Sequence, residues 1–172
     1  MARQPAFRLT YRVRQFWEAL RPRVSPTALA EARAHLPHGL WRLFQEMPPE
    51  EQAHALRVFQ RLKARGCTDP DVLTAALLHD VGKALQRPRL WERVVVVLAQ
   101  RCCPRRAWAW GQGQARGWRR PFVLARQHPE WGAAQALAAG ASSRTAELIR
   151  AHHSVNPQDP DLALLQWADE QE

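Results

Sequence analysis

The sequence is poor in the features that mark exported, membrane-spanning and disulfide-bonded proteins. Its longest uninterrupted apolar run, Val94 to Ala99, falls far short of the roughly 18 residues a bilayer-crossing helix needs. The opening stretch MARQPAFRLTYRVRQFW has neither the apolar segment nor the small-residue cleavage site of a secretory signal, so a cytoplasmic location is expected. The cysteines are Cys67, Cys102 and Cys103, too few for a disulfide framework, and no CxxC pair offers a thiolate zinc site. Tyrosine occurs once, at Tyr11, and lysine only at Lys63 and Lys83. No alternating strand pattern and no internal repeat stands out.

What is there is a globular composition. The 172 residues are 46% apolar and 24% charged, enough for one domain with a core and a short extension. The 25 basic residues outnumber the 16 acidic ones by nine, and nearly all are arginine. Arginine stays ionised and forks onto phosphate, which suggests a phosphate-bearing partner. The excess also fits a genome that writes arginine where others write lysine.

Helix signals punctuate the chain. Ser25-Pro26, Pro48-Pro49 and Asp69-Pro70 are helix starts, and Gly66 is a left-handed stop. Further helices are expected over Leu90 to Arg101, Pro121 to Ala139 with an interruption at His128-Pro129, Ser142 to His153, and from Asp161 onward. Val94 to Val97 favours strand by propensity, but its flanks extend it to helical length. Residues 1–24 suggest an N-terminal helix. The expected organisation is an all-α bundle of about six to eight helices, with residues 1–46 as an extension to a domain at 47–172.

Residues 103–120, CPRRAWAWGQGQARGWRR, read as a loop in which Trp108, Trp110 and Trp118 alternate with arginines and no acid. Packing against the core is the ordinary role of such tryptophans. Stacking on nucleic acid and lying at an anionic membrane surface are the alternatives. Gly111-Gln-Gly113 lacks the lysine and hydroxyl residue of a phosphate-binding loop.

The histidines carry the chemical signal. His54 falls at the edge of the apolar stripe Ala55, Val58, Phe59 and Leu62, with Glu50 one turn earlier. Ala75-Ala-Leu-Leu-His79-Asp80-Val81-Gly82-Lys83 is a buried helix ending in adjacent imidazole and carboxylate. At a helix end loosened by glycine, these two groups can address one point. Such donors suit Mn²⁺, Fe²⁺, Co²⁺, Ni²⁺ or Zn²⁺.

LLHDVGK, His128-Pro-Glu-Trp-Gly-Ala, Ile149-Arg-Ala-His152-His153 and Asp169 follow His54 in an order that resembles the HD superfamily of metal-dependent phosphohydrolases. The resemblance covers roughly residues 50 to 170. It implies that His54, His79, Asp80 and Asp169 hold one divalent ion, and that His128, His152 and His153 hold a second, with Asp80 bridging. One or two ions, among Mn, Fe, Ni, Co, Zn and Mg, would generate hydroxide for attack on a nucleotide or another phosphate ester. Asp80 and Lys83 would be catalytic, Lys83 facing substrate phosphate, and Glu50 falls where some members place another carboxylate; Arg150, next to the paired histidines in sequence, is a candidate to assist Lys83. The Gly-Tyr-Pro motif of the cyclic-dinucleotide branch is absent, which points away from cyclic-di-GMP. Asp169 ends a final helix short enough to be open to fraying, which would weaken a ligand placed there. The same ligand set also fits a metal-binding module that senses a nucleotide without cleaving it. His35 and His38 match nothing in the pattern and are expected at the surface.

Overall fold

The computed structural model describes residues 25–86, 89–155 and 157–171. Among these residues there are nine α-helices, two 3-10 segments and no strand. The helices are α1 (Pro26–His35), α2 (His38–Glu46), α3 (Pro49–Ala64), α4 (Pro70–Leu78) and α5 (Leu90–Cys102). They continue with α6 (Pro104–Trp110), α7 (Arg120–Ala138), α8 (Ser143–Ala151) and α9 (Pro160–Asp169). The all-α expectation holds. The expected N-terminal helix at 1–24 lies outside the described residues.

The starts are set locally, as their residues dictate. Proline stands in the first turn of α1, α3 and α4, where a missing N–H costs nothing. The Asp69 carboxylate accepts from the backbone N–H groups of Asp71 and Val72 at 2.9 and 3.0 Å, satisfying two donors that the helix itself leaves open. Gly66, at φ +84°, stops α3 in a conformation that β-carbon residues avoid.

Helix α4 runs through the centre, and every residue from Val72 to Leu78 is buried. Against it pack Phe59 and Leu62 of α3, Leu148 and Ile149 of α8, and Leu165 of α9. Leu40 and Phe44 of α2 enter the same core, so residues 26–46 share one apolar interior with the rest. Each such side chain contributes about 1.5–3 kcal/mol on leaving water.

After α4 the chain turns through His79 and Asp80 into a 3-10 segment, Val81–Gln86, which lies on α7. A β-carbon at Gly82 would stand 2.0 Å from the His128 carbonyl oxygen and 2.8 Å from the Gly132 nitrogen. Only glycine allows this approach, and it sets Asp80 and Lys83 beside His128.

Two expectations are corrected here. Helix α7 is continuous through His128-Pro129. Proline disfavours a helix interior, but this turn is buried and clamped by the close approach of Gly82 on one side and of Ile149 to Gly132 on the other. The stretch 103–120 is not simply a loop. Pro104 at the first helical position starts α6, which ends at Gly111, and this raises the helix count above the expected range.

Helices α5 and α6 form a side lobe on α7. Its own small core is Val96, Ala107 and Phe122, with Trp110 half-buried against them.

Candidate metal centre

Each histidine of the expected set sits where a helix end or a helix face points inward. His54 is on the inner edge of α3, His79 and Asp80 in the turn after α4, and His128 in the middle of α7. His152 and His153 follow the last turn of α8, and Asp169 closes α9. Three of the rings are fixed by backbone carbonyls. Nδ1 of His79, His128 and His152 lies 2.9, 3.0 and 2.7 Å from the carbonyl oxygens of Ala76, Leu124 and Ile149. Donation from Nδ1 leaves each Nε2 as a lone pair aimed at the common centre.

Two donor groups result. In one, His54, His79 and Asp169 each offer an atom within 4.8 Å of the others; in the second, His128, His152 and His153 do the same. His54 Nε2 lies 2.8 Å from Asp169 Oδ1 and 3.1 Å from His79 Nε2. Asp80 stands between the groups. Its Oδ2 is 3.5 Å from His79 Nε2, and its Oδ1 is 3.2 Å from His128 Nε2 and 3.8 Å from His152 Nε2.

The electrostatics follow from this crowding. Burial opposes ionisation of Asp80, but Lys83 and His79 hold its carboxyl well below the usual carboxylate range. Burial likewise opposes the charge on Lys83, which Asp80 and Glu51 nevertheless raise above its ordinary value. His152 is held well below the ordinary imidazole value by burial and by His79 and His153. His153 is pushed down to about 4 by burial and by His128, although it is the most exposed of the set. Burial works against a charge on His79, but Asp80 and Asp169 keep it above the usual value. Asp169 is lowered against burial by its contacts with His54 and His79.

Whether these residues suit a metal is decided by three atoms. Asp80 Oδ1, His128 Nε2 and His152 Nε2 are buried and make no hydrogen bond. Leaving such groups without a partner costs free energy comparable to a lost hydrogen bond each. Imidazole nitrogen and carboxylate oxygen converging without partners form a donor set that a divalent cation satisfies. The residues fit.

The end of α9, short as it is, has an anchor outside its own helix. Arg61 of α3 donates to the carbonyl oxygens of Ala168 and Gln171, both at 3.1 Å, which ties the last turn down beside Asp169.

Two positions differ from expectation. Glu50 is exposed, while Glu51 is buried and pairs with Arg93 at 2.6 Å and Lys83 at 3.5 Å. The signal for Glu51 lay in the register: positions 51, 55, 58 and 62 form one helix stripe. His35 is also not a surface residue. It is half-buried, with Nε2 3.0 Å from the Thr74 hydroxyl, and burial lowers its basicity. His38 is exposed as expected.

A cleft of about 750 Å³ opens from the centre, where Lys83, His128 and His153 line it, towards the side lobe, where Val97, Trp108 and Phe122 do. Arg150 also lines it, its Nε donating to Glu130 at 2.8 Å.

No curated protein and no solved structure matches the chain. The family model of the HD domain does, over residues 52–172. That match spans well over half of the chain and takes in all of the residues that converge on Asp80; the chain belongs to the HD domain family, within the superfamily of metal-dependent phosphohydrolases.

Proposed function

We propose that the protein is a metal-dependent phosphohydrolase that cleaves a phosphate ester, with nucleotides as the first class to test. The observation that carries this reading is Asp80, whose two oxygens face two separate donor groups. In this reading His54, His79 and Asp169 would hold one divalent ion and His128, His152 and His153 a second, with Asp80 offering an oxygen to each group. Divalent ions held there would supply activation of water near neutral pH and a countercharge for phosphate oxygens.

The protein's own groups set the rest. The backbone bonds to Nδ1 of His79, His128 and His152 hold the rings in one tautomer and orientation. Lys83 keeps its proton and lies at the inner end of the cleft, 2.6 Å from Asp80, where its charge offsets negative charge growing on phosphorus oxygens. Arg150 offers a planar fork further along the same cleft. Hydrolysis joins a water oxygen to phosphorus, and the ester oxygen leaves with a proton.

Elemental analysis of the purified protein beside Asp80→Ala tests this. Two transition-metal ions per chain in the native protein, their loss in the variant, and metal-dependent release of product from a chromogenic phosphodiester or phosphomonoester are expected. A protein that takes up no metal on reconstitution overturns the reading. A metalloprotein that binds nucleotides and leaves them intact for hours is a sensor instead.

A further inference from the structure

Helix α5 is built inside out. Its buried acid is Glu92, whose carboxylate meets Arg120 Nη1 at 2.6 Å and the Arg89 backbone N–H at 2.6 Å. Apart from Val96, which is buried, and the half-buried Ala99, its large apolar side chains described in the structure face water. Trp91, Val94, Val95 and Leu98 follow the spacing i, i+3, i+4, i+7 of a single helix stripe, and all four are exposed, Trp91 at 54% and Leu98 at 56%. Val97 beside the stripe is exposed as well. An apolar stripe of this kind on a soluble domain marks a surface that meets a partner.

We propose that this partner is an anionic lipid bilayer, on whose surface the α5–α6 lobe seats. Charge identifies it. From Arg93 to Pro129 the sequence has no acidic residue and eight arginines, of which Arg101, one turn after Leu98 on α5, and Arg105 and Arg106 at the start of α6 are exposed. Trp108 and Trp118 are exposed in the same lobe. An exposed aliphatic stripe, exposed tryptophan and exposed arginine on one lobe, with no acid among them, suit a headgroup layer over acyl chains. Nucleic acid would use the arginines and tryptophans, but valine and leucine at 94, 95, 97 and 98 gain nothing from base stacking. A bilayer uses all three. Val97 and Trp108 also line the cleft that runs to Lys83 and His153, so seating the lobe brings the cleft mouth to the lipid surface. The docking stands on the lobe alone and does not depend on hydrolysis.

The test is co-sedimentation of the full chain with phosphatidylcholine vesicles, with and without phosphatidylglycerol. Binding is expected only to the anionic vesicles, weakening as salt rises. V94E/L98E is expected to lower the partition coefficient by about a hundredfold, and R105E/R106E by roughly tenfold or more. Both variants are expected to keep native metal content and turnover of a soluble phosphate ester, which separates lost docking from lost folding. A native chain that stays in the supernatant overturns the proposal, as does V94E/L98E binding like the native protein. So does binding to single-stranded DNA without binding to vesicles, or a dimer in ultracentrifugation that V94E/L98E breaks while vesicles remain bare.

Discussion

Around Asp80, polar atoms are buried among apolar helices; on α5, apolar side chains face water while a carboxylate is buried. Both arrangements depart from the usual partition of residues, and they depart for different reasons. At the centre, Asp80 Oδ1, His128 Nε2 and His152 Nε2 are held by close packing in positions that destabilise the metal-free fold. On the lobe nothing is forced. Val94 and Leu98 make few demands on the packing beneath them, because Val96 and Glu92 supply the contacts to α7. The first region is organised for a ligand that enters the interior, the second for one that covers the exterior.

Packing is where the two regions are expected to differ most. Gly82→Ala must displace the His128 carbonyl oxygen, which lies 2.0 Å from the new carbon, and is expected to cost about 3 kcal/mol. The same change should lower metal content, because it moves Asp80 away from His128. Leu98→Ala on the lobe is expected to stay within about 0.5 kcal/mol of the native protein. Urea unfolding of the three proteins decides it. Equal losses in the two variants would mean that α5 is packed as tightly as the centre, and the contrast would fail.

Charge divides the regions next. Lys83→Met removes the cation nearest Asp80 and is expected to lower turnover by about a hundredfold while metal content is retained. A Lys83→Met protein with full activity would remove that residue from the chemistry and leave it as a partner of Asp80 and Glu51 only.

The centre was more legible in sequence than the lobe, for a physical reason. Helix starts at Ser25-Pro26, Pro49 and Asp69-Pro70 depend on one or two residues and their own backbone, and the donor residues announce themselves by type. The tryptophans do not. Trp108 and Trp118 are exposed at 60% and 61%, against the packing role expected of such rings, and Trp110 alone of the three is tucked into the lobe. Aromatic identity reports neither which way a short helix turns nor what lies beneath it. Pro129 misled for a related reason, since the clamp that holds its turn comes from Gly82 and Ile149, distant in sequence. Glu51 and Glu50 differ by one position, and only the register of α3 tells them apart.

The smallest expected effect is on pH dependence, and it too separates the regions. His152 and His153 are held below the ordinary imidazole value, His153 at about 4. Between that value and about 6.5, the unfolded chain takes up protons that the metal-free folded chain refuses, so stability falls as pH falls. His153 is exposed and its share is small; the buried His152 carries most of this slope. Asp80 and Asp169, held low in the folded state, add a further loss below about pH 4. His79 acts oppositely. Raised in the folded state, it stabilises fully below about 6.5 and loses that contribution as pH rises through its folded value. Thermal unfolding of the chelator-treated protein should therefore show a maximum near pH 6.5, with His152→Gln flattening the acid side. The lobe has no histidine between residues 90 and 127, so Leu98→Ala should shift the curve without changing its shape. A curve whose shape followed the lobe variant would place the titrating groups outside the centre and dissolve the distinction between the two regions.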